Sequence, residues 1–344
     1  KEHGLSVLDP VREREKLQKT VQSAPEALRD YTASLYSLLF ELSRCYQNRL
    51  LGGDTALTRE IQTAMGETPK LFPTQASVAC QGVAGAYSQL ACDKLFKLPN
   101  IMYFASFEAV FAAIEKGLCR YGVLPLENST AGSVNAIYDL MMKHDFRIVR
   151  SVRLKVDHNL LVKPGTRRED ITEIYSHQQA LTQCQRYLQG FPGVKLIPCE
   201  NTAVAARKVA EGDGHIAALS SRSCMKLYGL ECLEASVQDT ANNFTRFICI
   251  SKNLEIYPGA DRTSLMAVLS HEPGSLCRLL NRFYALGLNL NKLESRPMPD
   301  RNFEFMFYFD LETSVYSPEF LQLMGELPGL CEEFSYLGSY SEVI

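Results

Sequence analysis

The chain has 344 residues, 46% of them apolar and 22% charged, with a formal net charge of -3. That length allows about two domains of roughly 150 residues with room for a small third. No apolar run approaches the ~18 residues of a membrane span, and the acidic balance offers no basic patch for nucleic acid, so small-molecule chemistry is the expected class.

The eleven cysteines run from Cys45 to Cys331 without a CxxC pair and read as reduced core residues. Six histidines without an HxxxH spacing or a Cys/His cluster give no metal site to expect, and single residues such as His177 or His215 read as satisfied hydrogen bonders. No GxxxxGK[ST] or GxGxxG occurs, so no cofactor is expected. Nothing resembles a signal peptide, and the cytoplasm is the expected compartment. The chain begins at Lys1 and not at Met, which leaves open a targeting segment ahead of it.

The first segment, up to about residue 65, reads as helix alone. "PEALRDYTASLYSLLFELSRCYQNRLL" opens with Pro25, well tolerated at a helix start, and sets Tyr31, Leu35, Leu38, Leu42 and Cys45 at alternating steps of four and three. A lone helix cannot bury that stripe, so it calls for a second helix, a second subunit or the body of the protein. Gly52, Gly53 and the polar run to Pro73 read as a linker.

From about 77 to 253 short apolar runs alternate with helical patterns: "SVACQG", "IMYFAS", "YGVLPLE", "RIVRSV", "HNLLVK", "ITEIYS", "VKLIPC", "HIAALSS" and "FTRFICIS". This is the rhythm of an α/β fold. Ser88, Ser129, Ser176 and Thr202 each follow an apolar run and are expected as N-caps. Such caps either only start helices or gather backbone N–H groups at the carboxyl ends of the strands for an anionic ligand. The last segment, about 262 to 344, reads β-α-β-β-α-β. Pro273 starts a helix carrying Leu276, Leu279, Leu280, Phe283 and Leu286 that Gly287 stops, and "MPDRN" turns between two strands, which together predict a ferredoxin-like sandwich.

At "GVLPLENSTAGSV", "YSHQQALTQC" and "NNFTRF" the middle segment resembles prephenate dehydratase, with three separate motifs in order. The last segment looks like the ACT regulatory domain that follows this enzyme, through "HEPGSLCRLL" and "LNKLESRP". The first resembles the end of an all-helical chorismate mutase, through "DPVRE" and "SRCYQ". The resemblance implies an α/β two-lobed catalytic domain like a periplasmic binding protein over 77–253 (one lobe about 77–155 with 236–253, the other about 156–235). It also implies a ferredoxin-like α+β ACT domain over 262–344 and a helical mutase-like segment over 1–65.

It implies further that prephenate loses carbon dioxide and its ring hydroxyl to give phenylpyruvate and water, a reaction driven by aromaticity. Thr245 is carried over from the TRF motif as the donor to the leaving oxygen. A threonine hydroxyl is too weak an acid to surrender its proton near neutral pH, so stabilising the departing charge is its expected role. A strand returning antiparallel to its neighbours would put the start of "FTRFICI" beside their carboxyl ends, with Thr245 in the cleft and Ile248 and Ile250 buried. Glu127 is the one acid in the cleft motifs and either supplies a proton or anchors its loop. Asn128 and Ser129 are expected at a helix start as carboxylate donors. Ser176 and Gln183, seven apart, read as one face of a helix pointing either to substrate or to solvent. Arg246 and Phe247 complete the substrate-binding set, Arg246 either touching the pyruvyl end or serving structure, because a tight grip on the departing carboxylate would oppose decarboxylation.

For regulation the resemblance implies phenylalanine bound at a subunit interface. Gly274, Ser275 and Leu276 of one copy would meet Asn289, Leu290 and the stretch Glu294, Ser295, Arg296 and Pro297, in a homodimer or tetramer. Lys1, Asp9, Arg12, Glu13, Ser43 and Gln47 match positions lining a chorismate site. The family's long first helix would lie before Lys1, so a scaffold or dimerisation role is expected of this segment and chorismate remains a further partner. Two rival readings stay open: an arogenate dehydratase, and a non-catalytic amino-acid-sensing binding protein.

Overall fold

The computed structural model describes residues 9–52, 55–298, 301 and 304–344. The chain divides into two compact units, Lys1–Thr68 with Gly259–Leu337, and Pro69–Pro258 with Gly338–Ile344.

Asp9 caps helix α1 (Pro10–Ser23) by accepting from Arg12 N, and Pro10 takes the first helical position, where a missing N–H costs nothing. After Pro25 a single 3-10 turn leads into α2 (Arg29–Gly52). The stretch expected as a linker contains α3 (Ala56–Glu67), whose start is fixed by a reciprocal capping box between Thr55 and Thr58. Its buried stripe is Thr58, Ile61 and Ala64, too thin to stand out as a helix in the sequence.

The second unit follows with β1 (Gln75–Gln81), α4 (Tyr87–Leu95), β2 (Leu98–Phe104), α5 (Phe107–Glu115), β3 (Tyr121–Asn128), β4 (Gly132–Ser133), α6 (Asn135–Met141), β5 (Arg147–Lys155), β6 (Asn159–Val162) and β7 (Glu173–His177). It continues with α7 (Gln178–Gln183), α8 (Gln185–Leu188), β8 (Lys195–Cys199), α9 (Thr202–Glu211), β9 (Ile216–Ser220), α10 (Ser223–Tyr228), β10 (Glu231–Glu234) and β11 (Phe244–Ser251). The chain ends with β12 (Arg262–Val268), α11 (Ser275–Ala285), β13 (Asn289–Pro297), β14 (Phe305–Glu312), α12 (Pro318–Glu326), β15 (Glu333–Tyr340) and β16 (Glu342–Val343).

Each of the nine apolar runs of the middle segment is a strand. They form two sheets, one ordered β16-β5-β11-β3-β1-β2 with β4 paired to β3, the other β10-β6-β9-β7-β8. In the first, β3 and β11 are central and buried almost throughout, which explains their near-continuous apolar sequences. A Cβ at Gly122 of β3 would lie 3.0 Å from both Val110 and Ile250, so a side chain there would press on the packing of α5 against the sheet. The strands β12, β14, β13 and β15 with α11 and α12 make the expected ferredoxin-like sandwich, ordered β13-β14-β12-β15.

The expected N-caps are corrected. Thr202 is the first residue of α9, capped by Asn201 through Val204 N, and α7 is capped by His177 through Gln179 N, not by Ser176. Ser88 lies inside α4 behind Ala86. After Ser129 the chain makes a turn and the short β4 before α6 begins, so no helix starts there. At Pro273 the helix starts two residues later, with Gly274 in the left-handed conformation as its cap. At α9 and α7 the side chain that actually reaches a free N–H of the first turn wins over the small polar residue beside it.

After β15 the chain enters the first sheet of the second unit, where β16 pairs parallel with β5, Glu342 opposite Ser151 and Val343 opposite Val152. The approach depends on Gly338, whose φ is 139° and whose missing Cβ would run into the carbonyl oxygen of Ile148. Gly338→Ala is expected to destabilise the protein by about 1–3 kcal/mol from backbone strain alone, read as a lower urea midpoint. A midpoint equal to that of the parent would show that the contact is not under tension.

Candidate active site

Strand β11 runs antiparallel to both β3 and β5, while β3 is parallel to β1 and β1 to β2. The start of β11 therefore lies beside the carboxyl end of β3, with Thr245 opposite Asn128. A register shift that skips Leu126 falls between the Arg246–Glu127 and Phe247–Pro125 pairs, and such a bulge re-aims the side chains that follow it.

Asn128 organises this corner. Its amide Nδ2 donates to Asn243 Oδ1 at 2.8 Å, Thr245 Oγ1 at 2.9 Å and Phe244 O at 3.1 Å. Its Oδ1 accepts from Thr130 N, Ala131 N and Thr130 Oγ1, which folds residues 128–131 into a side-chain-closed turn. Because Thr245 Oγ1 accepts from Asn128, the hydroxyl proton is turned away from that bond. Among the described residues it is donated to no partner, so it is the donor this corner holds ready.

The other lobe meets this corner through Gln183. Its Nε2 donates to Thr130 Oγ1 at 2.6 Å, and its Oε1 accepts from Asn243 Nδ2 at 3.0 Å and from His158 Nε2 at 2.9 Å. The second bond fixes the His158 proton on Nε2, and the equally buried Nδ1 has no partner among the described residues. Burial pushes the His158 imidazole below its ordinary value, against smaller upward pulls from Gln183 and Asp157. Burial lowers His177 as well. The sequence reading named neither His158, Asn243 nor Thr130; the only signals were the doubled asparagine before the TRF motif and a histidine just before an apolar strand.

Glu127 pairs with Arg246, Oε1 to Nε at 2.8 Å, and the arginine side chain is only 6% exposed. Beside them a cavity of about 250 Å³ is lined by Glu127, Asn128, Ser129, Arg153, Asn242, Phe244 and Arg246. Ser129 staples the two strands: its Oγ donates to Asn242 O and accepts from Phe244 N, both at 2.9 Å. Phe247 lies in the core with Val152 and Cys249 and not in this cavity. Ser176 is fully buried on β7, its hydroxyl spent on Leu219 O at 2.7 Å. The helical face that was to join Ser176 to Gln183 does not exist, because Ser176 precedes the helix.

In the other unit Gly274, with φ 87°, opens α11, and Ser275 and Leu276 border a cavity of about 380 Å³ with His271 and Phe305. Asn289, Leu290, Glu294, Ser295, Arg296 and Pro297 lie on β13, an edge strand of the sandwich that lines none of this cavity. Of the mutase-like residues, Lys1 lies outside the described residues. Asp9 caps α1 through Arg12 N, Glu13 forms an ion pair with Arg44, and Gln47 Nε2 donates to Ser43 Oγ at 3.0 Å on exposed α2 turns.

A family model described as prephenate dehydratase matches residues 78–255. The chain belongs to the prephenate dehydratase family. It is 32% identical over 345 residues to the bifunctional chorismate mutase/prephenate dehydratase of Escherichia coli strain K12, covering 97% of this chain and 86% of that one. It is 36% identical over 281 residues to arogenate dehydratase/prephenate dehydratase 1, chloroplastic, of Arabidopsis thaliana, covering 76% of this chain and 71% of that protein. Among solved structures it resembles the prephenate dehydratase of Arthrobacter aurescens in complex with L-Phe, at 25% identity and a TM-score of 0.71, covering 77% and 89% of the two chains. Among the described residues no helix is long and apolar enough to cross a membrane.

The buried His158 and the half-buried His177 have a consequence for stability. Their folded values lie below the 6.5 of an exposed imidazole, so the unfolded chain takes up protons first as pH falls. Their contribution is complete above 6.5 and is lost on acidification toward the folded values. The urea midpoint is expected to fall between about pH 7 and pH 5, and His158→Asn to flatten that fall. The same slope in both proteins would clear His158 of the effect.

Proposed function

We propose that this chain catalyses the decarboxylating dehydration of prephenate to phenylpyruvate, with residues 77–253 as the catalytic domain, 262–337 as a phenylalanine-responsive ACT domain whose following residues 338–344 return to the catalytic unit, and 1–65 as a mutase-like helical segment. The observation that carries the reading is the Thr245 hydroxyl, which accepts from Asn128 at 2.9 Å at the carboxyl end of β3. In the reaction the bond to the ring carboxylate breaks and carbon dioxide leaves. The electron pair aromatises the ring, and the carbon–oxygen bond opens with the oxygen departing at the hydroxide level, stabilised by the Thr245 hydroxyl and taking its second proton from solvent to become water. The difficult event is the growth of charge on that oxygen, and a preorganised donor lowers its cost most where the donor needs no reorientation. The Asn128 bond supplies that preorganisation by occupying the acceptor side of the hydroxyl and turning the threonine proton away from Asn128.

Asn128, Ser129 and Gln183 are assigned to holding the substrate. Ser176 and Phe247, both buried, are kept as support beneath it and no longer as direct contacts. The pairing of Glu127 with the buried Arg246 supports the anchoring alternative for Glu127 and the structural alternative for Arg246. Arogenate is a second substrate candidate, supported by the printed name of the Arabidopsis relative.

Phenylalanine as effector is supported by the L-Phe complex of the Arthrobacter structure and by the cavity of about 380 Å³ that Ser275 and Leu276 border at the start of α11. A homodimer or tetramer is supported by the apolar face of α2, where Tyr31 and Leu35 are 74% and 56% exposed. A cytoplasmic location is supported by the buried free thiols of Cys80, Cys92 and Cys249. Chorismate remains a candidate substrate of the first segment, whose Ser43 and Gln47 share one exposed face.

Assayed with prephenate, arogenate and chorismate separately, the chain is expected to form phenylpyruvate from prephenate. Thr245→Ala is expected to lose about 100-fold or more in kcat with little change in KM, and Thr245→Ser to keep most activity. Undiminished turnover by Thr245→Ala would remove the mechanism. Saturating phenylalanine is expected to slow the reaction, and Gly274→Val to blunt that response. A rate indifferent to phenylalanine would discard the regulation and leave the dehydratase assignment standing.

A further inference from the structure

The C-terminal strand brings a charge to the active-site sheet that no motif accounts for. Glu127 on β3 is opposite Arg246 on β11, and Arg246 is opposite Arg153 on β5. Glu342 on β16 lies opposite Ser151, two residues from Arg153 and so on the same face of the sheet. Arg153 NH2 and Glu342 Oε2 are 2.6 Å apart, and the Glu342 side chain is 3% exposed. The backbone fastens the strand here as well, Ser151 N donating to Ser341 O at 3.1 Å. Four neighbouring strands thus carry a row of carboxylate, guanidinium, guanidinium and carboxylate, and its inner members border the cavity at the end of β3.

Two arginines directly opposite each other repel. Each is neutralised from its outer side, Arg246 by Glu127 and Arg153 by Glu342. Arg153 is the more exposed of the two, at 42%, and has room to move. Without Glu342 the carboxylate left in the row is Glu127, and Arg153 would compete with Arg246 for it. We propose that Glu342 is a positioning residue for the active site, which acts through Arg153 to keep the Glu127–Arg246 pair intact beside Asn128 and Thr245. The last residues of the chain are then part of the dehydratase machinery, an inference that rests on the function proposed above.

The test is a cycle of Glu342→Gln, Arg153→Gln and the double variant, assayed for phenylpyruvate formation and for urea midpoint. Glu342→Gln is expected to lower kcat/KM by about tenfold, and adding Arg153→Gln to recover most of that loss, because the competing cation goes with it. Glu342→Asp should fall in between. A merely structural role for β16 predicts that any rescue is confined to the urea midpoint and leaves kcat/KM of the folded protein unmoved. The proposal is overturned if Glu342→Gln keeps the parent kcat/KM, or if the double variant is no better than Glu342→Gln alone. A parent chain that turns over neither prephenate nor arogenate would instead sink the dehydratase reading. The same rescue, present or missing in the urea midpoints, would then decide the coupling in the row.

Discussion

The candidate site depends on one topological constraint, the antiparallel insertion of β11 between β3 and β5. In a sheet whose β1, β2 and β3 are parallel, an antiparallel strand is the element whose beginning reaches the carboxyl ends of its neighbours. That places Thr245 against Asn128 and lets the remainder of β11 descend into the core as Phe247, Ile248, Cys249 and Ile250. Functional polarity and core hydrophobicity coexist on one strand because they are separated along its length. The bulge at Leu126 adjusts the outlet of β3 so that Glu127 faces Arg246 while Asn128 turns to Thr245.

Around this corner the polar groups are spent on each other. Asn128, Asn243, Thr130, Gln183 and His158 form a connected hydrogen-bonded set drawn from both lobes. A buried amide or imidazole without its partner costs about 1–3 kcal/mol, so each bond restrains its neighbours and the Thr245 hydroxyl is held by a set that is nearly closed. His158 illustrates the mechanism at one remove. Held neutral by burial, it is a fixed Nε2 donor to Gln183 and not a proton carrier.

Charge is handled by the same logic of local closure. Arg246 and Arg153 face each other on adjacent strands, an arrangement that persists because a carboxylate flanks each. One of those carboxylates comes from the far end of the chain, after the sandwich strand β15 and past a glycine whose backbone suits few other residues. The segment that the sequence pattern assigns to the sandwich is an edge strand of the sheet that carries β3 and β11.

The strands were legible because burial on both faces writes itself as unbroken apolar runs, as in "YGVLPLE" and "FTRFICIS". The ferredoxin-like sandwich was legible from its alternation of periods, and the family resemblance named Thr245, Asn128 and Gln183, which the structure brings to one hydrogen-bonded corner. What it lacked were features set by pairing across the chain. The caps fell to Asn201 and His177 because reach to a free N–H is a three-dimensional property. Ser176 was drawn into the sheet, and α3 hid in a polar run whose buried stripe is three residues deep. His158, Asn243 and Glu342 acquire their roles only when strands remote in sequence become neighbours. A local pattern reports what one segment buries, and the partners that segment meets are decided by the register and direction in which the sheet assembles.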